Sequence, residues 1–542
     1  MESQQRWPGR IGGVVVLLVT ALVFAGAVGH DFVNYDDRGY VFDRRTLQGL
    51  TPQNLIEAFT GIILGNYHPL AWLSHMADVE VFGLDPRGHH AVNVALHAVV
   101  AVVALRLLRR LGLGIAEAGA LTLAFSLHPL RVESVAWVSE RKDVLCALFY
   151  LFAVERWLAP GRSRALVAAL GLLALLSKPM AVSLPAVLVI VDVVIAGRPW
   201  RDAVRDSAPL WALAIVLSVI TLRVQQDAML GESLVPLSLR LQTAIAAQGA
   251  IYLPATLAPT CLHTPYLYPE AWPTPTLLGS AILVVIGGVV AFACRRRAPL
   301  VTAGLLWYVV VFAPVAGVIG VGIAPAADRY TYLPSIGLAI VGAGVVLAVR
   351  RLLPRLAWVP TTVLAAWTVA LIPMTLLQVD VWRSTRSLWS QALHCEPDHP
   401  DVLTFMARED LAEGRLTEGR DRAARALEIR PHMPGTWEQL GVFELLLGRL
   451  PQARDAFIES LSWQREGQAV AHTGLGVALL ALGETEAAHR ELALGRGPLP
   501  RHGTELAAVL NRINEPELAR AVLARRVSAD LSPQRAEPRG TP

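Results

Sequence analysis

The chain has 542 residues, 54% of them hydrophobic and 17% charged, with a formal net charge of +4. That is too apolar and too sparsely charged for a soluble domain, and basic residues confined to short clusters do not suit nucleic acid as a partner. Cys146, Cys261, Cys294 and Cys395 show no CxxC or Cys/His spacing, so dithiol and cysteine-metal chemistry are set aside.

Apolar runs of about 17–25 residues, the length that crosses a bilayer as a helix, recur from residue 11 to residue 377. Arg6 and Arg10 precede the first run, 11–29, and Asp31, Asp36 and Asp37 follow it. The bias of basic residues toward the cytoplasm therefore puts the N-terminus inside and the acidic pair outside. Ala25-Gly26-Ala27 resembles a signal-peptide cleavage site, and removal of the first run would leave the pair outside all the same. Residues 31–90 form a long external segment containing Asn66-Tyr67-His68-Pro69-Leu70, Trp72 and His75, whose aromatic density suits interfacial helices. Runs at 91–108, 115–127 and 144–158 follow, with Arg106, Arg109, Arg110, Arg156, Arg162 and Arg164 at their inner ends.

Pro179 and Pro185 break residues 165–195 into two short spans hinged at Ser177-Lys178-Pro179. A run at 209–222 exits toward Gln225-Gln226-Asp227 and Gly231-Glu232. Residues 241–257 are apolar but carry Gln242, Gln248 and Pro254, and read as re-entrant or interfacial, with Tyr266, Tyr268 and Trp272 as further anchors. Runs at 277–294, 300–320, 336–353 and 359–377 complete about eleven spans and leave the C-terminal part outside.

Beyond residue 380 the composition changes. Leu403, Trp437 and His472 are 34 and 35 residues apart, as are Gly414, Gly448 and Gly483. Trp437-x-x-Leu440-Gly441, Gly448, Ala453 and Phe457, with Pro431, sit at tetratricopeptide offsets. The fold class is thus all-α: a polytopic membrane domain over residues 1–380, then a tetratricopeptide solenoid over 381–527 with a peptide-binding concave face. Residues 528–542 read as a disordered tail.

Ionisable groups gather where topology puts them outside: Asp36 and Asp37, His68 and His75, Glu133 with Glu140-Arg141-Lys142-Asp143, Lys178, and Asp328-Arg329-Tyr330. Charges so near a membrane are costly unless they pair or face a wet cavity. Each has a bland alternative: Asp36-Asp37 as a helix cap, His68 and His128 as turn closers before proline, Glu133 with Arg141 as a structural ion pair, Lys178 as a snorkelling side chain. On one helix, Glu133, Trp137, Glu140 and Arg141 would share a face. No Walker loop, dinucleotide fingerprint or nucleophile elbow is present.

Several motifs together, Asn34-Tyr35-Asp36-Asp37, His68-Pro69-Leu70-x-Trp72, His128-Pro129-Leu130-x-Val132-Glu133-Ser134-Val135-Ala136-Trp137, Glu140-Arg141-Lys142-Asp143, Ser177-Lys178-Pro179-Met180 and Asp328-Arg329-Tyr330, carry a resemblance. With the trailing repeats, the chain resembles the transmembrane and tetratricopeptide repeat-containing protein O-mannosyltransferases, of the GT-C glycosyltransferase class. Its Ala-, Arg- and Leu-rich composition suggests a bacterial-type member in the inner membrane, with the repeats periplasmic. The resemblance implies transfer of a sugar from a polyprenyl-phosphate carrier to a hydroxyl on an exported protein held by the repeats. Asp37 or Asp36 carries over as the base. Arg141, Lys142, Lys178 and Arg329 are the candidate cations for the donor phosphate, and His68, His75, Glu133, Glu140, Asp328 and Tyr330 line the site. A divalent ion at Asp36 and Asp37 is compatible with this reading and not required by it. The competing class is a membrane scaffold or lipid transporter whose repeats recruit partners.

Overall fold

The computed structural model describes residues 2–63, 65–224, 235–318, 324–463, 468–499 and 502–525. Those residues are helical throughout, with no strand among them and only an isolated bridge between Ile63 and Asn66. Contacts divide the chain into two units, Met1–Leu388 and Trp389–Pro542. The exit at 225–234 and the tail at 528–542 lie outside the described residues.

In the first unit, helices long and apolar enough to cross a bilayer are Arg10–Gly29, Pro86–Arg110, Thr274–Cys294, Pro334–Leu352 and Pro354–Val381. Trp200–Asp206 and Ala208–Val224, bent by 61° at their junction, make a sixth if they are one broken span. The runs at 115–127, 144–158, 165–177 and 300–320 lie on helices of 12, 17, 14 and 14 residues. A helix of that middle length rises about 21 Å, short of a hydrocarbon core of roughly 30 Å. Five or six spans are therefore what length and composition support, fewer than the eleven runs in the sequence.

Pro86–Arg110 is central, packing on the helices of residues 2–24, 115–126 and 141–157. Its Val94, Ala98, Ala101 and Leu105 recur at the helical period and are all buried. Pro299–Phe312 and Pro334–Leu352 approach through glycines: a Cβ on Gly304 would collide with the Gly337 carbonyl oxygen. By contrast, only 11% of the apolar window of Thr274–Cys294 is buried, which leaves it a face for lipid. The break near Lys178 occurs as its chemistry requires. Arg164–Ser177 ends with Lys178 extended (φ −156°, ψ 135°), because the following proline disfavours the helical region for its neighbour. Residues 237–257 form Leu237–Ala247, a wide turn and Leu253–Leu257, and pack against Thr274–Cys294.

Two expectations about the connecting segments fail. Trp72 is not an interface anchor: with Tyr40, Ala58, Ile63 and Met76 it forms a small buried core of its own. Nor do Glu133, Trp137, Glu140 and Arg141 share a helical face. Val132–Ala136 stops at Trp137, which is extended (φ −81°, ψ 117°), and a turn of 3₁₀ helix, Val138–Glu140, leads into Arg141–Trp157. The extended residue resets the helical phase, so offsets of 7 and 8 no longer return to one side.

The second unit is a run of helical hairpins, among them Pro400–Ala412 with Leu416–Ile429, Pro434–Leu446 with Leu450–Trp463, and Ala469–Ala481 with Thr485–Leu494, each helix packing on the next. Gly414, Gly448 and Gly483 close these hairpins at φ of 75°, 76° and 84°, where a Cβ would be strained. Phe457 is wedged between Gly441 and Gly474 and fully buried.

Candidate functional site

Asp36 and Asp37 stand at the start of the short helix Asp37–Val41. The loop before it is fastened twice: the Asp31 amide donates to the Arg383 carbonyl (3.1 Å), and the Asn34 amide to Thr385 Oγ1 (2.9 Å). The Tyr35 ring stacks on Trp137 with centroids 4.8 Å apart. Within this frame the two carboxylates part company. Asp37 is buried; its Oδ2 accepts the Val33 amide at 2.9 Å, and its Oδ1 accepts both the amide (2.9 Å) and the hydroxyl of Ser139. Burial pushes its pKa up to about 6 against the pull of those three donors. Asp36 is half-buried, and its carboxylate accepts no hydrogen bond among the described residues, although its backbone carbonyl accepts the Gly39 and Tyr40 amides. Burial raises its pKa, while Lys142 and Arg329 draw it down and Glu140 pushes it up, so it faces these three groups.

Those groups belong to one ionic cluster drawn from segments far apart in the chain. Glu140 is its hub, with Lys142 Nζ at 2.8 Å, Lys178 Nζ at 3.3 Å and Arg329 Nε at 3.4 Å. Burial alone would raise Glu140, but Lys142, Lys178 and Arg329 outweigh it and hold the carboxyl well below its usual range. Glu133 accepts the Arg329 amide at 2.7 Å and pairs with its guanidinium. Asp143 pairs with Lys178 and accepts the Ser134 hydroxyl at 3.0 Å. Aromatic faces complete the walls: Lys142 Nζ lies 4.7 Å from the Tyr40 ring centre, and the Arg329 guanidinium 5.4 Å from that of Trp137 and 5.1 Å from that of Tyr330. Lys142, Lys178 and Arg329 are thus matched by Glu133, Glu140 and Asp143, and Asp36 is the additional carboxylate at the edge.

Of the remaining candidates, His68 and Asp328 border this cluster, whereas Arg141 and His75 lie apart from it. Arg141 points away from the cluster, into a buried pocket where it donates to Asn93 Oδ1 (2.7 Å), the His89 carbonyl (2.7 Å) and Ser74 Oγ (3.2 Å) and pairs with Asp78. Fully engaged there, it is not available to a phosphate beside Lys142. His68 Nδ1 is 2.9 Å from the Tyr40 hydroxyl, and burial, with Lys142 and Lys178 nearby, keeps its pKa well below the usual histidine value. Asp328 accepts the Tyr266 hydroxyl at 2.8 Å, and burial beside Glu133 lifts its pKa to about 7. His75 is buried with neither ring nitrogen hydrogen-bonded. It offers, with Asp78 and His89, ligand atoms within 4.8 Å of one another. The charge of Asp78 is already answered by Arg141, so this trio would take a cation only against a neighbouring guanidinium. Asp36 and Asp37 fit an ion less well still, because hydrogens from Val33 and Ser139 already point at both Asp37 oxygens.

Sequence reasoning missed Ser139, which fixes Asp37 through its amide and hydroxyl, and Arg131, which is buried without a carboxylate partner. A serine inside a motif gives no signal of this kind. For Arg131 the signal was present, since a charge two residues beyond His128-Pro129 in an otherwise apolar stretch is costly to bury.

No family profile matches the chain. It is similar to the protein O-mannosyl-transferase TMTC4 of Mus musculus, 32% identical over 162 residues that cover 26% of this chain and 22% of the mouse protein. The protein O-mannosyl-transferase tmtc2 of Xenopus laevis is 33% identical over 144 residues (24% and 17% of the two chains). Tmtc1 of Drosophila melanogaster, likewise named a protein O-mannosyl-transferase, is 34% identical over 130 residues (22% and 15%). The matched stretch spans about a fifth of these relatives' own length. Over about a quarter of its residues, then, this multi-pass helical membrane protein is similar to proteins named protein O-mannosyl-transferases.

Proposed function

We propose that the chain is an integral-membrane glycosyltransferase of the O-mannosyltransferase kind. It moves a sugar, mannose by analogy with the relatives' names, from a polyprenyl-phosphate carrier to a hydroxyl on an exported protein. The observation that carries the mechanism is the contrast at residues 36 and 37. Asp37 has three donors on its two carboxylate oxygens, whereas the Asp36 carboxylate accepts no hydrogen bond among the described residues and faces the cations of the cluster. Asp36 takes the acceptor hydroxyl's proton as that oxygen attacks the anomeric carbon. The bond from that carbon to the phosphate oxygen breaks, and its electron pair leaves with the phosphate. A carboxylate raised by burial is better matched to this proton transfer than an ordinary one.

Lys142 and Arg329, the cations nearest Asp36, meet the departing phosphate by exchanging part of their pairing with Glu140 and Glu133. Aromatic walls at Tyr40, Trp137 and Tyr330 exclude water and strengthen each contact. Arg141 and Asp78 pair in their own buried pocket and touch no substrate. The account includes the eleven-span topology with the N-terminus in the cytoplasm, a bacterial inner membrane, and the acidic loop on the outer side. The 34- and 35-residue periodicity supports tetratricopeptide hairpins, which would receive the acceptor polypeptide.

Purified protein in nanodiscs, given radiolabelled polyprenyl-phosphate mannose and an exported acceptor protein, tests the reading. Label appearing on serine or threonine of the acceptor supports it. No transfer from any polyprenyl-phosphate sugar to any exported protein, by protein shown to be folded, would overturn it.

A further inference from the structure

Apart from the ionic cluster, one group of three ligand-bearing side chains stands close together among the described residues: His75, Asp78 and His89, all buried, with ligand atoms within 4.8 Å of one another. His75 and Asp78 are three residues apart on the helix Pro69–Phe82 and so share a face, while His89 is near the start of Pro86–Arg110. The turn joining these helices also fixes the state of His89. Its Nε2 lies 3.0 Å from the Gly83 carbonyl oxygen, which can only accept, so Nε2 carries the hydrogen. In the neutral ring Nδ1 is then a bare lone pair. It faces Asp78 Oδ2 at 3.4 Å and has no hydrogen bond among the described residues. Two lone pairs so placed repel unless a positive charge lies with them.

His75 adds a third lone pair. Both of its ring nitrogens are buried without a hydrogen-bond partner among the described residues, and its ring lies nearly parallel to that of His89, with centroids 6.4 Å apart. Burial, with Arg141 nearby, keeps its pKa well below the usual histidine value, so at neutral pH the ring is in the form that binds metals. Two imidazoles and one carboxylate are the donor set of zinc-class ions, whereas magnesium and calcium take oxygen. Ligand atoms about 2.0–2.1 Å from a tetrahedral zinc stand roughly 3.3–3.4 Å from each other, which is how His89 Nδ1 and Asp78 Oδ2 already stand. The contact from His89 Nε2 to Gly83 is of the kind that orients a ligating histidine from behind. Arg141 weighs against a cation, since it pairs with Asp78. It does not close the site: a carboxylate has about four lone-pair directions, and Arg141 directs other N–H groups to Asn93, the His89 carbonyl and Ser74. Its charge lowers the affinity, so removing it should raise the affinity.

We propose that His75, Asp78 and His89 bind a divalent transition-metal ion of the zinc class, which ties the helix Pro69–Phe82 to the span Pro86–Arg110. The ligand atoms are His89 Nδ1, one Asp78 carboxylate oxygen and one ring nitrogen of His75, with a fourth position for water. Burial of all three side chains suits an ion taken up as the chain folds and held for structure. None of the three is the assigned base or a cation of the cluster, so the site stands or falls apart from the transferase reading.

Binding, not turnover, is the readout. Untagged full-length protein in nanodiscs is stripped with a chelator and titrated with zinc against a chromophoric competitor, with cobalt as a spectroscopic probe. One zinc per chain is expected, with a higher unfolding temperature, the visible spectrum of four-coordinate cobalt, and no competition from magnesium or calcium in large excess. His75→Gln and His89→Gln should each weaken zinc about tenfold or more. His472→Gln, which removes a histidine paired with Glu491 in the second unit, should leave the affinity unchanged. Arg141→Met should bind zinc more tightly than wild type and regain with it part of the stability it loses. No stoichiometric zinc, a cobalt spectrum of the six-coordinate aquo ion, or unchanged affinity in folded His75→Gln and His89→Gln would each overturn the proposal. The cobalt spectrum is read on wild type, so it decides the matter even if a histidine variant does not fold.

Discussion

Around Glu140, Lys142, Lys178 and Arg329 meet Glu133, Glu140 and Asp143, and the cluster is close to electrical balance. At Arg131 a guanidinium of similar burial meets two aromatic rings and one hydroxyl. A balanced cluster holds its shape without ligand and can receive a departing anion by sharing cations it already has. An unbalanced one carries a standing cost. The same contrast in miniature separates the Asp37 carboxylate, held by three donors, from that of Asp36, which has none among the described residues. At residues 36 and 37, satisfied charge makes scaffold and unsatisfied charge makes chemistry.

Four variants press on that comparison. Asp36→Asn has the largest expected effect, a fall in kcat of roughly 10²–10⁴-fold with the fold intact, read by sugar transfer and thermal unfolding together. Arg141→Met comes next. It leaves Asp78 buried with only His89 beside it and should destabilise the protein by about 3–5 kcal/mol in denaturant titrations. Asp37→Asn should cost about 1–3 kcal/mol, because an amide cannot accept from both Val33 and Ser139 without turning its own N–H groups on one of them.

That third variant also has a pH signature. The folded pKa of Asp37, about 6, lies above its ordinary 3.8, so the folded state holds this proton more tightly. The stabilisation from that proton is complete below about pH 3.8 and is lost as pH rises through 6. Wild type minus Asp37→Asn should therefore show stability falling across that window. Arg131→Met has the smallest expected effect. It should unfold within about 1 kcal/mol of wild type, or above it, since removing an unpaired buried charge relieves a cost. A loss like that of Arg141→Met would mean the two arginines are equivalent after all.

Much of the layout was legible in the sequence, and the reasons are physical. Pro179 announces the extended Lys178 before it, and Gly414, Gly448 and Gly483 announce three left-handed turns at a regular interval. Charges in segments between apolar runs had to find partners, and Glu133 with Arg329 and Glu140 with Lys178 did so across the chain. What stayed hidden depends on backbone direction. Nothing in Ala136-Trp137-Val138 marks the extended residue that resets the phase, so the common face of Glu133 and Arg141 was an artefact of assuming one helix. Arg141 and Lys142 are neighbours, yet their side chains serve different pockets. Trp72 read as an anchor because aromatic density does not say which side of a short helix is covered. The difference between Asp36 and Asp37 rests on Ser139, 102 residues from Asp37, and only the fold reveals it.

The acid limb of the pH–rate profile for sugar transfer bears most directly on the assignment of the base. In wild type, kcat/KM should rise with pH through an apparent pKa above the 3.8 of an ordinary aspartate, since burial raises Asp36. That limb should persist in Asp37→Asn and disappear from the residual rate of Asp36→Asn. A limb that survives in Asp36→Asn and vanishes in Asp37→Asn would contradict the account.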